Sequence, residues 1–338
     1  MEYLLIVAFL VSLILTWLAL PKWIVKCKKI GLLWEDMNKP DKNRNVAASG
    51  GVIVVMTFVL GVLTYIAIRT FIMQGDGVNV QIFALLTVIL LFAIVGLVDD
   101  LLGWKHGGLS VRIRIFLAFV ASIPLVVINA GNASMNIPFI GYVSLGLLYP
   151  LVLIPIGIAG AAITFNFLAG FNGLEAGQGI IIISFLSFIA YITNSGWLAI
   201  IGLCMVASLS VFYFYNKVPA KVFPGDILTY SVGALMAGMA ILGDFERIAV
   251  FVFIPYILET GLKLRGGLRK QSFAKPNPDG SLEMPYKKIY GLTHLSLFIL
   301  KKFKRKVYEN DVIYLIFIFQ IFICLIALLI ANRWIFSI

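Results

Sequence analysis

The sequence is dominated by apolar runs long enough to cross a lipid bilayer, and ten of them occur along its 338 residues. A membrane-spanning helix needs about 20 mostly apolar residues. Hydrophobic residues make up 61% of the chain and charged residues only 13%, whereas soluble domains carry about 25% charged residues. We therefore predict an all-α polytopic membrane protein that forms one integral domain over residues 1–338, and we exclude a soluble multidomain fold.

The predicted spans are separated by polar loops. They run over Tyr3–Pro21, Gly51–Phe71, Val80–Val98, Ile113–Ala130, Leu145–Phe167, Gly179–Ile192, Trp197–Tyr215, Ile227–Leu242, Ile248–Leu262 and Val312–Trp334. The first run has an acid before it and four lysines after it, the reverse of a signal peptide, so we expect it to be retained as a span. Kinks are expected in the fifth and ninth spans because they contain Pro150, Pro155 and Pro255.

Basic residues lie almost entirely on one side of these spans. The loops after the odd-numbered spans hold 24 of the 27 lysine and arginine residues, and the opposite side holds only Arg69, Arg247 and Arg333. Basic loops stay in the cytoplasm. The asymmetry therefore predicts that both termini lie outside and that the long loops are cytoplasmic.

The last inner loop, residues 263–311, is the largest segment outside the predicted spans. Within it, His294–Tyr308 alternates apolar residues with five basic residues. This pattern is typical of a helix that lies on an anionic membrane surface. A solvated basic turn accounts for a charge run of this length equally well, so both interpretations stay open.

Polar groups gather at the inner ends of the spans in four clusters, of which the first is the pair Asp99 and Asp100 at the end of the third span. The C-terminus of a helix carries partial negative charge, and adjacent carboxylates repel each other. The pair therefore favours a neighbouring cation, either a basic side chain or a divalent metal. A solvated acidic pair flanked by Lys105 is the alternative.

The second cluster is the glycine-rich segment Asn166–Gly179, which leads into the sixth span. Its glycines permit close approach of the backbone to a ligand, and the helix start that follows points amide N–H groups at an anion. The amide oxygen of Asn166 is a competent ligand for a hard cation. Glu175 is explained equally well as an acid at a helix start.

The third cluster is Phe223-Pro224-Gly225-Asp226, just before the eighth span. An aspartate after a Pro-Gly turn is typical of a helix N-cap, and Phe223 is typical of packing, so a structural interpretation stays open for both. The fourth cluster is basic and suits a polyphosphate, although membrane orientation alone would supply many of its residues. It comprises Arg265, Arg269, Lys270, Lys275, Lys287 and Lys288.

Carboxylates and amides beside a basic loop predict a magnesium–phosphate site, because Mg²⁺ is typically held by one or two carboxylates plus substrate phosphates. No Walker-type loop is present, so the usual signature of ATP hydrolysis is missing. His106 and His294 are isolated, and the three cysteines have no metal-binding or disulfide spacing. A metal site built from histidine or cysteine is therefore not expected.

In these segments the sequence resembles the polyprenyl-phosphate N-acetylhexosamine-1-phosphate transferases, a family of ten-span membrane enzymes. The resemblance is greatest to the dolichyl-phosphate branch, which starts protein N-glycosylation. It is carried, in the family's order, by Asp36–Lys39, Asp99–Asp100, Asn166–Gln178, Val222–Asp226 and Leu282–Tyr286. The most specific part is Leu168–Gln178, where a coincidental match is implausible.

The resemblance implies that a polyprenyl or dolichyl phosphate attacks the β-phosphate of UDP-GlcNAc, releasing UMP and leaving a lipid-diphosphate sugar. It implies Mg²⁺, or Mn²⁺, held by Asn166 and Asp226. Asp99 and Asp100 match the pair that positions or deprotonates the attacking phosphate. Arg114 matches the family lysine that contacts the phosphates, with Lys105 as the alternative.

The resemblance also implies a set of substrate-binding residues. Phe223 matches the aromatic residue that stacks on uracil, and Asn172 matches the residue that helps to seat the base. The remaining substrate-binding positions are Met37, Glu175, Arg269 and Lys270. The expected partners are UDP-GlcNAc, the lipid phosphate and the membrane, without nucleic acid; a monomer and a homodimer both stay open.

Two departures from the family pattern bear on the substrate. The Arg-His-Arg sugar loop of the eukaryotic enzymes is replaced by Arg269-Lys270-Gln271, which keeps another UDP-N-acetylhexosamine as an alternative donor. The histidine-rich motif of the muramoyl-pentapeptide branch is missing, which argues against that substrate.

The alternative from another class is an anionic-metabolite transporter, which should place its functional charges near mid-membrane. We expect the active site to face the cytoplasm, at the plasma membrane of an archaeon or the endoplasmic reticulum of a eukaryote.

Overall fold

The computed structural model describes residues 5–41, 45–73, 77–137 and 141–335, which fold into a helical bundle with short hairpins in its loops. The helices in these ranges are α1 Leu5–Ile30, α2 Gly51–Ile68, α3 Asn79–His106, α4 Val111–Val127, α5 Ile154–Phe167, α6 Leu174–Ile192, α7 Gly196–Asn216, α8 Gly225–Leu242, α9 Glu246–Val252, α10 Ile254–Arg265, α11 Leu292–Lys301 and α12 Glu309–Ile335. A π-helical turn, Arg69–Met73, extends α2, and another, Tyr149–Leu153, precedes α5.

The strands form three two-stranded antiparallel hairpins. They are β1 Leu33–Trp34 with β2 Val46–Ala47, β3 Ser134–Ile137 with β4 Gly141–Ser144, and β5 Lys275–Pro276 with β6 Leu282–Glu283. An isolated parallel bridge joins Ala47 to Val222. It ties the loop before α2 to the loop before α8.

Within the described ranges, eight helices are long and apolar enough to cross a membrane. The prediction of an all-α polytopic membrane protein is therefore confirmed. The other two predicted spans are also helical but differ in length: α4 has 17 residues, and the ninth is divided into α9 and α10.

The break in the ninth predicted span lies at Phe253, between α9 and α10. Pro255 has no backbone N–H and cannot continue the hydrogen-bond ladder of α9. The N–H of Tyr256 donates to the carbonyl of Phe253 at 2.9 Å, so the carbonyl of Val252 instead accepts a hydrogen bond from Gln320 Nε2 of α12 at 3.0 Å. The kink expected in the ninth span is thus confirmed, and it is a full interruption of the helix. In the fifth span, the helix departs from regular α-geometry at the π-helical turn that contains Pro150.

Small residues let α8 pack closely against its neighbours. A Cβ on Gly96 of α3 would lie 2.5 Å from the backbone nitrogen of Ile227, and one on Gly233 would lie 2.7 Å from the carbonyl oxygen of Ala161 in α5. Glycine allows such backbone approach where any side chain would collide. This packing brings the end of α3 and the end of α5 to the start of α8.

The predicted basic helix His294–Tyr308 differs from the observed α11, which ends at Lys301. Three lysines of this run form ion pairs: Lys301 with Glu283, Lys304 with Asp311 at 2.6 Å, and Lys306 with Asp279 at 2.7 Å. Phe303 is 83% exposed between them. The run therefore braces the β5–β6 hairpin against the start of α12, a role that neither sequence interpretation included.

Candidate active site

A cavity of about 560 Å³ opens at the end of the bundle where α3 and α5 end and α6 and α8 begin. Its volume is in the range of small-molecule sites. Residues from three of the predicted clusters line it together, along with Met37 from a segment that carries the family resemblance: Asp100, Asn166, Asn172, Glu175, Phe223 and Asp226. The chain thus brings the carboxylates, the amides and the aromatic residue of the sequence prediction to one place.

One side of the site, the acidic wall, consists of Asp99, Asp100 and Asp226 with Arg114. Asp100 and Asp226 line the cavity, whereas Asp99 and Arg114 are not among its lining residues. Asp99 Oδ1 accepts a hydrogen bond from the backbone N–H of Leu109 at 2.5 Å. The guanidinium Nη1 of Arg114 lies 3.3 Å from Asp99 Oδ2 and 4.0 Å from Asp226 Oδ2. The Arg114 guanidinium therefore forms ion pairs with two of the three carboxylates.

The third carboxylate, that of Asp100, is held at one oxygen only. Its Oδ1 accepts the backbone N–H of Asp226 at 2.7 Å. Its Oδ2 is buried and receives no hydrogen bond from the described residues. Gly225 faces that oxygen with φ +73°, and a Cβ at this position would collide with it. The backbone thus leaves room around an acceptor that lacks a donor, which is costly unless a ligand completes it.

The N-cap interpretation of Asp226 is wrong. Helix α8 begins at Gly225 with Pro224 in the cap position, and Asp226 lies in the first turn. Glu175 likewise lies in the first turn of α6, where its Oε1 accepts the backbone N–H of Gly170 at 2.8 Å. Glu175 therefore fixes the glycine turn as well as lining the cavity.

Another side of the site, the amide wall, consists of Asp36 and Asn172, which line the cavity, with Glu309 and Lys39, which are not among its lining residues. Asp36 accepts the backbone N–H of Asn38 at 3.2 Å through Oδ1 and the side-chain Nδ2 of Asn172 at 2.7 Å through Oδ2. Glu309 accepts the backbone N–H of Asn172 at 2.8 Å through Oε1 and forms an ion pair with Lys39 through Oε2. All four carboxylate oxygens of this wall therefore have partners.

Phe223 reaches the cavity because its segment pairs with the chain before α2. The N–H of Phe223 donates to the carbonyl of Ala47 at 2.8 Å, and the N–H of Gly50 donates to the carbonyl of Phe223 at 2.9 Å. Ala47 belongs to β2, and Met37 in the loop of the β1–β2 hairpin lines the same cavity. An aromatic ring and an apolar side chain are thereby available to a flat ligand.

Two of the predicted substrate-binding residues are not among the residues that line the cavity. Arg269 and Lys270 are exposed, and Lys270 Nζ lies 4.9 Å from the ring centroid of Tyr286. The chain turns inward directly after them, so that Gln271 and Phe273 line the cavity. The side chains of Arg269 and Lys270 therefore do not contribute to the cavity wall in this structure.

A buried network holds the segment that contains Gln271 and Phe273. Lys263 Nζ donates to Ser272 Oγ at 2.6 Å and lies 3.8 Å from Glu259 Oε1. His294 Nε2 lies 3.3 Å from the carbonyl oxygen of Phe273. Burial lowers the pKa of His294 below its ordinary value, which favours the neutral ring with Nε2 as the donor.

The donor set of the cavity fits a hard divalent cation. Carboxylate oxygens of Asp100 and Asp226 and the amide oxygen of Asn166 are the ligand types that Mg²⁺ prefers. The partnerless Oδ2 of Asp100 supplies an acceptor that a cation would satisfy. Within the described residues, no group of three or more His, Cys, Asp or Glu side chains is placed to hold a metal. The protein thus offers a partial ligand set, as expected where substrate phosphates supply the remainder.

Comparison with known proteins places the chain in a family. Residues 82–244 match the model of glycosyl transferase family 4. A protein of Saccharolobus solfataricus is 33% identical over 312 residues, which are 91% of this chain and 90% of that protein. One of Sulfolobus acidocaldarius is 32% identical over 325 residues, 95% of this chain and 93% of that protein. Both carry the provisional name UDP-N-acetylglucosamine–dolichyl-phosphate N-acetylglucosaminephosphotransferase.

The chain belongs to the polyprenyl-phosphate N-acetylhexosamine-1-phosphate transferases. A bacterial relative, the phospho-N-acetylmuramoyl-pentapeptide-transferase of Streptococcus agalactiae, is 27% identical over 76% of this chain and 79% of its own length. The resemblance inferred from the motifs is thus confirmed.

Sequence reasoning missed four residues of this transferase that shape the site: Asp36, Glu309, Glu259 and Lys263. Asp36 was recognised only as part of a matching segment, and Glu309 reads as an ordinary acid at a helix start. Glu259 and Lys263 stand four residues apart on one helix, a spacing that predicts mutual contact. That spacing gives no sign of their contacts with the loop that reaches the cavity.

Proposed function

We propose that this transferase moves GlcNAc-1-phosphate from UDP-GlcNAc to a polyprenyl phosphate of the dolichyl type, giving polyprenyl-diphosphate-GlcNAc and UMP. The observation that carries the proposal is the shared cavity, in which Asp100, Asn166 and Asp226 lie with Phe223 and Asn172. A nucleotide sugar needs both a place for its base and a charge-compensating place for its diphosphate. The two archaeal relatives named for this reaction cover nearly the whole chain.

On the donor side, Phe223 stacks on the uracil ring, and Met37 and Asn172 border the base. These residues line the cavity, and stacking of an aromatic side chain on a base is worth about 1–3 kcal/mol. The diphosphate then lies toward Asp226 and Asn166. Glu175 acts by fixing the glycine turn at Gly170 through its 2.8 Å hydrogen bond.

On the acceptor side, Asp99 and Asp100 position the lipid phosphate for attack on the β-phosphate of the donor. The nucleophile is already an anion, so alignment and charge compensation matter more than a strong base. Arg114 contacts two carboxylates of the acidic wall and supplies a fixed positive charge beside the reacting groups. The bond to UMP breaks as the bond to the lipid phosphate forms.

Asn166 and Asp226 would hold Mg²⁺, for which Mn²⁺ can substitute. When bound, the ion neutralises charge that develops on the transferred phosphoryl oxygens. The residues of the chain provide the rest: Asp100 orients the start of α8 through its 2.7 Å bond to the Asp226 N–H, and Arg114 limits repulsion among the carboxylates.

The proposed topology has ten spans, external termini and a site that faces the cytoplasm, supported by the distribution of basic residues. Single introduced cysteines test this topology. The native Cys27, Cys204 and Cys324 are buried, so we expect them to react little with a labelling reagent. Lys287→Cys is expected to react with an impermeant maleimide only from the cytoplasmic side, and Asn132→Cys only from outside. Labelling of Lys287→Cys from outside would reverse the proposed orientation.

Another UDP-N-acetylhexosamine is the second candidate donor, favoured by the exposure of Arg269 and Lys270 and by Gln271 at the cavity. Release of UMP, measured with UDP-GlcNAc and UDP-GalNAc in vesicles that contain polyprenyl phosphate, decides between them. We expect UMP only when the lipid phosphate is present, and faster with UDP-GlcNAc. Release of UMP without the lipid phosphate would contradict the proposed reaction.

A further inference from the structure

The amide wall contains a pair of side chains whose hydrogen-bonding roles are fixed by chemistry. Asp36 and Asn172 are buried, with 5% and 4% exposure. Nδ2 of Asn172 donates to Oδ2 of Asp36 at 2.7 Å. An ionised carboxylate can only accept hydrogen bonds. The side-chain nitrogen of Asn172 must therefore face Asp36, and its oxygen Oδ1 must face away.

The opposite orientation of the amide is excluded by its surroundings. A flip would place Oδ1 of Asn172 against the carboxylate, so that two acceptors would face each other without a proton between them. Asp36 cannot turn aside easily, because its Oδ1 accepts the backbone N–H of Asn38 at 3.2 Å. Asn38 is itself held by a 2.7 Å bond from its Nδ2 to the carbonyl of Gly170 and by a 3.1 Å bond from the N–H of Ala274 to its Oδ1.

The backbone of Asn172 is fixed independently of its side chain. Its N–H donates to Glu309 Oε1 at 2.8 Å, and Lys39 holds the other oxygen of Glu309. No described residue donates a hydrogen bond to Oδ1 of Asn172. Because Asn172 lines the cavity, this oxygen is the group that it offers to a bound ligand.

We propose that Asp36 is a specificity-determining residue, which orients the amide of Asn172 as a hydrogen-bond acceptor and thereby selects a uracil nucleotide over a cytosine nucleotide. The inference rests on the proposed function, which places the base of the donor in this part of the cavity. Uracil carries a hydrogen on N3 and can donate it to Oδ1. Cytosine has a lone pair on N3, so two acceptors would face each other.

The preference for UDP over CDP depends on the cost of leaving a buried hydrogen-bond acceptor without a donor. A site built to bond a particular N–H rejects an analogue that lacks it, because the buried acceptor of the site is then left without a partner. We expect UDP to bind the unaltered protein at least about tenfold more tightly than CDP. Both carboxylate oxygens of Asp36 already accept hydrogen bonds, from Asn38 and Asn172, so Asp36 acts as a positioning residue through Asn172.

Titration calorimetry with UDP and CDP on the full-length protein tests the inference. Asp36→Ala frees the amide to flip, so the preference for UDP is expected to fall to within about threefold of unity. Glu309→Ala is the matched control, because it loosens the backbone of Asn172 without releasing its side chain. It should weaken both nucleotides by the same factor and leave their ratio unchanged. An unchanged ratio in Asp36→Ala would overturn the inference.

Melting curves report whether Asp36→Ala folds. If it does not, an exchange of the side chains of Asp36 and Asn172 provides a second test. Asp36→Asn combined with Asn172→Asp reverses the donor and the acceptor of the buried bond but still leaves an acceptor toward the base. The combined variant is expected to retain the UDP preference, and Asn172→Asp alone, which places two carboxylates face to face, should bind both nucleotides weakly. Loss of the preference in the combined variant, or equal binding of UDP and CDP by the unaltered protein, would contradict the role of Asp36. Failure of the unaltered protein to bind UDP would instead contradict the proposed function.

Discussion

The acidic wall and the amide wall contain carboxylates in opposite electrostatic conditions. In the acidic wall, one guanidinium contacts two of the three aspartates, and Oδ2 of Asp100 is buried without a partner among the described residues. In the amide wall, all four oxygens of Asp36 and Glu309 accept hydrogen bonds or an ion pair. A satisfied wall is already organised to recognise a ligand, whereas an unsatisfied one gains most from a cation and phosphates.

This comparison predicts which substitutions separate activity from stability. Changes in the acidic wall should remove turnover while relieving repulsion, because strain at functional sites is maintained at the expense of stability. Changes in the amide wall should alter nucleotide recognition instead.

The largest effect is expected for Asp226→Asn. Turnover should fall by at least about 10³-fold, since one carboxylate of the proposed Mg²⁺ site loses its charge. The melting temperature should stay level or rise, because Asp226 is not the N-cap of α8 and crowds against Asp99 and Asp100. UMP release and thermal unfolding measured on the same preparation check both parts. A folded variant with normal turnover would show that the acidic wall is structural.

Arg114→Met should lower turnover by about 10²-fold, because the acidic wall loses its only ion-paired cation in the described part of the chain. Lys105→Met is the matched control, since both changes remove one positive charge near the connection between α3 and α4. We expect its turnover to stay within about threefold of normal. Steady-state kinetics on both variants decide which basic residue serves the phosphates. The reverse ranking would assign that role to Lys105.

Phe223→Ala should act on donor binding more than on the chemical step. Loss of the aromatic stack is expected to raise the Kd for UDP-GlcNAc by about 5- to 150-fold. Titration calorimetry measures this, and Asp99→Asn provides the contrast, because it should lose turnover yet bind the donor almost normally. If donor affinity fell only in Asp99→Asn, the proposed division between the donor and acceptor sides would be reversed.

The smallest effect is expected outside both walls, at Asp279. Hydrogen bonds from Lys306 and Ser281 hold the pKa of Asp279 below its ordinary value. The stabilisation is therefore present above the pKa of the unfolded residue, about 3.9, and is lost as the pH falls through the lower pKa of the folded state. Asp279→Asn should lower the melting temperature by no more than about 2 °C at pH 6. The difference should vanish at low pH, and turnover should be unchanged; a difference that grew on acidification would contradict this sign.

The sequence drew attention to the residues of the acidic wall but not to the contacts of the amide wall, for a physical reason. Ionisable residues beside an apolar span are conspicuous in a sequence, and Asp99 and Asp100 were identified in this way. Asp226 was also explained as a helix N-cap, and only the family resemblance gave it a role as a metal ligand. The partners in the amide wall lie far apart in the chain, 136 residues for Asp36 and Asn172 and 137 for Asn172 and Glu309. Residue type and local spacing carry no information about such contacts.

Helix positions were predicted well because hydropathy determines them. Breaks and kinks within individual spans were harder to predict from the sequence. Pro255 signalled a kink in the ninth span, and the structure has a break at Phe253 that Gln320 of a distant helix supports. Arg269 and Lys270 were selected by family position, yet the side chains are exposed. The direction in which a loop side chain points depends on tertiary contacts such as that between Lys270 and Tyr286.

The proposed transfer of GlcNAc-1-phosphate is tested by following the β-phosphate of the donor. UDP-GlcNAc labelled with ³²P at that phosphate is incubated with the purified protein, Mg²⁺ and vesicles that contain polyprenyl phosphate, and the lipid fraction is then extracted. Transfer of the sugar phosphate predicts that the label enters the lipid together with the sugar and that the nucleotide product is unlabelled UMP. Label that stays in water-soluble UDP while the sugar enters the lipid would show simple glycosyl transfer and would contradict it.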